Sequence, residues 1–221
     1  MNRSLHPEAG ADLWRSIRQG NIDDCWFVAA VIALARFRPD ELRRLVAPNP
    51  DGSFDVTFPN RRPVRGVTVT DDEIARYRRP HHGTDGLLLP VLEKAYGLLL
   101  RPRSPTPFEV IGRPAVRAGK GIRLLTGRRS HTYYLTRGPF GWWQRFVRRR
   151  LEAAMRAAPP SLVIVSDTNF RTGHLYALVD YDFPSAALTL QDPYGGEPPA
   201  PLPWEDFVRE YTFLFLEDPR R

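Results

Sequence analysis

The chain has 221 residues, 42% hydrophobic and 26% charged, a composition that folds as one large domain or two small lobes sharing a cleft and does not stay disordered. Its single cysteine excludes an intramolecular disulfide and a cysteine-based zinc site, and a chain this long folds without either staple. The net charge of +7 is split: residues 1–150 hold 27 basic and 14 acidic side chains, whereas residues 151–221 hold 5 and 11, so two halves of opposite sign attract when packed together.

In chain order, the first strong element is a helix from about Asp24 to Phe37, DCWFVAAVIALARF. It is apolar all round, so it is expected to be buried on most sides. Asn21, Asp23 or Asp24 can cap its start, and Pro39 ends the following turn. Asp40 to Val46 has the pattern of a short amphipathic helix. SFDVTF (53–58) and VRGVTVT (64–70) alternate as strands do. Leu87 to Leu100 is helical again, with Pro90 tolerable in the first turn. Residues 101–145 are loop-rich, and a helix from Arg145 to Ala158 stops at Pro159-Pro160. Three strands follow over 162–167, 174–182 and 186–192, then a short helix over 204–211 and a last strand over 212–217. Helices first and strands last is an α+β order, and it predicts a helical lobe facing a sheet lobe.

Cys25 stands at the start of the buried helix. A helix N-terminus presents free N–H groups and a partial positive charge, which stabilise a thiolate, the attacking form of cysteine. A lone cysteine is equally a small buried hydrophobe. A thiolate nucleophile needs a base, and the base needs an orienting group. Among the five histidines (His6, His81, His82, His131 and His174), His174 opens a clear strand after the small residues Thr172 and Gly173. These let a substrate backbone approach closely. Alternation places His174, Tyr176 and Leu178 on one strand face. Asp192 ends the next strand, and if the two strands pair it lies beside His174 and can accept the imidazole N–H. Gln19, six residues before Cys25, can donate to a developing oxyanion together with the Cys25 backbone N–H. Each signal taken alone has a structural reading: Asp192-Pro193-Tyr194-Gly195 is also an ordinary turn.

The stretch Gln19-Gly20-Asn21-Ile22-Asp23-Asp24-Cys25-Trp26-Phe27-Val28-Ala29-Ala30 resembles the active-site helix start of the calpain family of papain-like cysteine peptidases. The likeness continues in order through LPVLEKAYGLL (89–99), LLTG (124–127), GHLYALVDYD (173–182), DPYG (192–195) and WEDFVREYT (204–212). Three positions depart from the family pattern. Asp23 replaces a glycine, Asp192 stands for asparagine, and Tyr194 replaces the tryptophan that shields the triad.

The resemblance implies a papain-like α+β fold. Residues to about 125 would form the helical lobe carrying Cys25 and Gln19, and about 126–221 the sheet lobe carrying His174 and Asp192. It implies a cysteine endopeptidase with a Cys25–His174–Asp192 triad, Gln19 in the oxyanion hole, and Trp26, Gly173 and Tyr194 at the substrate. Related acyl-transfer enzymes on the same scaffold, transglutaminases or glutamine deamidases, and a binding domain without activity are the alternatives. No cofactor or metal is expected. The calcium loops of calpains cannot be mapped, so calcium dependence is not expected either.

The expected partners are a protein or peptide substrate and an inhibitor or immunity-type protein. Nucleic acid is not expected, because the arginines are scattered apart from Arg145 with Arg148, Arg149 and Arg150, and no nucleic-acid motif accompanies them. The first twenty residues lack the apolar core of a signal peptide, and the apolar run from Cys25 to Ala35 is shorter than the ~20 residues of a membrane span. The expectation is a soluble protein with no membrane partner, cytoplasmic or exported without a cleaved signal.

Overall fold

The structure, a computed structural model, describes residue 5 and residues 13–77, 86–112, 118–135, 141–167, 173–196 and 200–218. His6, His81, His82 and Thr172 lie outside the described residues.

A short helix α1 (Leu13–Ser16) precedes α2 (Cys25–Phe37), whose residues are all buried from Cys25 to Ala35. That complete burial is why the α2 sequence carries no polar stripe. The helix ends where Arg38 leaves helical angles, and Pro39 opens α3 (Pro39–Arg43) with its ring at the first helical position. Three short strands, β1 (Val46–Pro48), β2 (Phe54–Val56) and β3 (Val64–Val67), form an antiparallel sheet in that order. Next come α4 (Asp71–Tyr77), α5 (Leu88–Leu100), α6 (Pro107–Ile111) and α7 (Ala118–Thr126).

The second half holds β4 (Ser130–Tyr134), α8 (Gly141–Met155), β5 (Val163–Asp167), β6 (Leu175–Asp182), β7 (Ala187–Gln191), β8 (Leu202–Pro203), α9 (Trp204–Glu210) and β9 (Tyr211–Glu217). Its strands form a six-stranded antiparallel sheet in the order β4-β9-β5-β6-β7-β8. The chain is thus mixed α+β with antiparallel sheets.

The large sheet is covered on both faces. Leu175, Ala177 and Val179 of β6 join α2, α5 and α7 in one core. Leu178 of β6 and Leu214 and Leu216 of β9 join Val147 and Leu151 of α8 and Phe207 of α9 in a second. The strand period of two makes this division. The pairing of β6 with β7 shifts between Leu178 and Asp180, and beyond that bulge Tyr181 faces the second core although its number is odd. Helix α2, which Cys25 opens, therefore lies directly on β6. Arg38, just after α2, reaches the far end of the chain: its guanidinium meets Glu217 Oε2 at 2.6 Å, both side chains buried.

The structure corrects the expectation for residues 101–145, which contain α6, α7 and β4. The α7 sequence, AGKGIRLLT, carries two glycines, which disfavour a helix on propensity alone. Packing overrides this, because a Cβ on Gly121 would lie 2.8 Å from the Trp26 carbonyl oxygen of α2. Only glycine lets α7 approach that closely. Likewise α8 starts at Gly141 rather than Arg145. Among the described residues no helix is long and apolar enough to cross a membrane.

Candidate active site

Two close approaches fix the loop before α2, one to the turn after β7 and one to the end of α4. The Gln19 N–H donates to the Pro193 carbonyl at 2.6 Å, joining that loop to the turn after β7. Gly20 lies against the Tyr77 carbonyl, where a Cβ would sit 2.2 Å from the oxygen. Gln19 is fully buried, and its Nε2 donates to the Ile22 carbonyl at 2.5 Å. A primary amide has two N–H hydrogens, so one remains for another acceptor.

Cys25 is the first residue of α2 and is 8% exposed. The backbone N–H groups of Leu175 and Trp26 favour its thiolate. Burial nevertheless pushes the thiol up to about 12, with Asp24 and Asp23 adding to the rise. At neutral pH Cys25 is therefore a thiol, and it could attack only with a proton acceptor at hand.

His174 immediately precedes β6, and its Nε2 lies 2.8 Å from Asp192 Oδ1. The strands β6 and β7 are indeed neighbours, which makes this pair possible. A carboxylate only accepts, so Nε2 carries the hydrogen and Nδ1 is the basic nitrogen of the neutral ring. Asp192 Oδ1 also accepts the Tyr194 N–H at 2.7 Å. The Tyr194 ring stacks on the imidazole at 4.7 Å, and Tyr176 meets it edge-on at 4.8 Å. Gly173, next to His174, has a φ of +46°, which favours glycine. No hydrogen bond joins Cys25 Sγ to the His174 ring among the described residues; the link between them is the N–H of Leu175, adjacent to His174.

Trp26 does not take the place expected of it. It is fully buried, with its ring among Phe27 and Tyr96, so it packs in the core behind Cys25. Asp24 holds the N-cap position but makes no side-chain cap bond. Its carboxyl turns inward to Glu93 of α5, and both groups are buried.

Sequence reasoning missed this Asp24–Glu93 pair, although an acidic residue inside the apolar run of α5 was a signal. It also missed Tyr211, which packs edge-on against Tyr176 at 5.6 Å and starts a strand with no chemical motif of its own. Burial pushes the Tyr176 hydroxyl up to about 12, with Asp192, Asp167 and Cys25 contributing, so this ring belongs to the electrostatic surroundings of the thiol.

Two buried carboxyl groups facing each other without a cation cannot both ionise and must share a proton. Burial raises Asp24 to about 7, and burial together with Asp24 holds Glu93 well above the usual carboxylate range. A raised folded-state value means stability that is present below pH ~4 and is lost as pH climbs through about 7. Asp24→Asn is therefore expected to raise the melting temperature at pH 8 more than at pH 5. It should also speed alkylation of Cys25 by iodoacetamide, since a negative neighbour is removed. Equal effects at both pH values in thermal melts would exclude the shared proton.

The sequence matches no protein-family model, and no curated protein matches it significantly.

Proposed function

We propose that this protein is a papain-like cysteine endopeptidase, with Cys25 as nucleophile, His174 as base, Asp192 orienting the base and Gln19 stabilising the oxyanion. The observation that carries the reading is the 2.8 Å pair of His174 Nε2 and Asp192 Oδ1, set beside a cysteine that opens a buried helix. The nucleophile helix lying on an antiparallel sheet, with the base at the sheet's end, supports a papain-like arrangement. So does the calpain-like order of motifs from Gln19 to Trp204.

The chemistry follows from the free nitrogen. His174 Nδ1 takes the Cys25 proton, and Sγ attacks the scissile carbonyl carbon. The helix N-terminus and the N–H groups of Leu175 and Trp26 stabilise the thiolate once the imidazolium balances its charge. The tetrahedral oxyanion accepts from the remaining Gln19 Nε2 hydrogen and the Cys25 backbone N–H. The intermediate collapses as His174 returns its proton to the leaving amine, giving a thioester. Water, deprotonated by His174, attacks that thioester and releases the acid and the thiol.

A carboxylate at position 192, in place of the family's amide, favours a second reading: acyl transfer on glutamine side chains. The products separate the two.

The test is digestion of an unfolded protein under reducing conditions, with Cys25→Ala as control and with and without a calcium chelator, read by mass spectrometry. New termini from the wild type alone, in both arms, are the expected result. Intact substrate carrying cross-links or deamidated glutamines would favour the second reading. Equal cleavage by Cys25→Ala would overturn the nucleophile.

A further inference from the structure

Four cationic side chains border one open cavity of about 620 Å³ on the helical half: Arg61 from the turn between β2 and β3, Lys120 and Arg123 on one side of α7, and Arg129 just beyond it. All four are exposed, and among the described residues none of these side chains makes an ion pair or hydrogen bond. Elsewhere some arginines have carboxylates, as Arg65 has Asp55 and Arg156 has Glu152, and others, such as Arg44, Arg62 and Arg101, stand singly at the surface. The cavity differs in gathering four such cations around one concavity.

Its two further charged groups are already engaged. Arg128 lies 3.6 Å from Glu217 Oε1 and 3.9 Å from Glu41 Oε1, and Asp218 faces His131 at 3.3 Å. The same cavity is floored by Tyr96 and Leu100 of α5.

Like charges around a concavity repel one another, and the concavity focuses their field on whatever enters it. A multivalent anion relieves that repulsion. Guanidinium groups match phosphate oxygens in a bidentate fork, which three arginines here can offer. The volume falls in the roughly 300–1,000 Å³ range of small-ligand sites, too small to hold a macromolecule.

We propose that this cavity binds a small organic molecule bearing two or more phosphate groups. The phosphates meet Arg61, Lys120, Arg123 and Arg129, and the non-phosphate part rests on Tyr96 and Leu100. None of these residues belongs to the Cys25–His174 site, so the assignment stands apart from the peptidase reading.

The test is calorimetric titration of the full chain with inorganic triphosphate at physiological salt. One saturable site per chain is expected. Arg61→Gln and Arg123→Gln should each weaken it about tenfold or more, the loss expected for one charge-assisted hydrogen bond. Arg62→Gln, an exposed neighbour that does not line the cavity, should leave it unchanged. Absence of binding at millimolar triphosphate, or equal losses for Arg61→Gln and Arg62→Gln, would overturn the proposal.

Citrate binding as tightly as triphosphate would overturn the choice of phosphate. Single-stranded DNA binding with an affinity that grows with length and is not displaced by triphosphate would overturn the small-molecule assignment. Vesicles with and without phosphoinositide separate the sources of the phosphates. Preference for phosphoinositide vesicles, lost with the same two variants, would assign a lipid headgroup, and triphosphate binding without that preference a free metabolite.

Discussion

Replacing His174 by alanine is expected to lower cleavage of an unfolded protein by about two to four orders of magnitude, the contribution of a positioned general base. The thiol of Cys25 is pushed up to about 12, so almost none of it ionises at neutral pH unless an imidazole takes its proton. His174 is the histidine placed to do so, with Nδ1 open and Nε2 held by Asp192. The substitution should leave the fold intact, because the His174 carbonyl keeps its bond from the Asp167 N–H at 3.2 Å and the ring lies at the edge of the site. Circular dichroism and melting temperature check that point. Retention of most of the activity would sink the assignment of the base. Asp192→Asn is expected to cost far less, since an amide oxygen can accept both from Nε2 and from the Tyr194 N–H. Asp192→Ala removes that acceptor and should lie between the two.

The second large effect concerns stability. Arg38→Ala is expected to destabilise the protein by about 3–5 kcal/mol, because it leaves a buried carboxylate without its principal cation. Glu217 is fully buried, and Arg38 is 4% exposed. The same Oε2 that meets Arg38 accepts the Leu162 N–H at 2.9 Å, so the carboxylate cannot swing out to water without breaking the start of β5. Arg128 stands 3.6 Å from Oε1 and supplies only partial compensation. For a chain of this size the loss corresponds to a fall of about 6–20 °C in melting temperature.

The companion measurement is the double variant Arg38→Leu with Glu217→Leu. Removing both charges should cost much less than removing Arg38 alone, since an apolar pair of similar size replaces a desolvated ion pair. If the double variant is as unstable as Arg38→Ala, the effect comes from packing and not from the stranded charge.

The pair also explains how the two halves of the chain are held in register. Arg38 follows α2, and Glu217 ends β9. An ion pair between them links α2 to the sheet at the end away from Cys25. The bond from Gln19 to Pro193 links them at the near end. These two ties hold α2 and the loop before it against the sheet at both ends.

Local pattern alone was enough for the long elements. The unbroken apolar run of α2 and the pairing of strands around Tyr181 and Leu188 follow from periodicity, whereas α8 ends at Met155, short of the expected stop at Pro159. The candidate site was legible for a related reason: Cys25 at a helix start, His174 at a strand start and Asp192 at a strand end are positions that secondary structure defines.

What tertiary structure decided lies where burial or distant contact overrides local preference. The two glycines of α7 argue against a helix, and only the close approach to Trp26 makes one favourable. Asp24 carries the chemistry of an N-cap, yet it turns inward because Glu93, 69 positions later in the chain, shares its proton. Trp26 follows the nucleophile in sequence, but a helix rotates successive side chains by about 100°, which carries its ring into the core and away from the cleft. The basic cavity joins a β-turn, two helices and the end of β9; Lys120, Arg123 and Arg129 stand within ten residues of one another, but only packing brings Arg61 to them. Charge and apolar pattern are local properties and could be read in order. Which charges meet, and which are left without a partner, is set by packing between segments far apart in the chain.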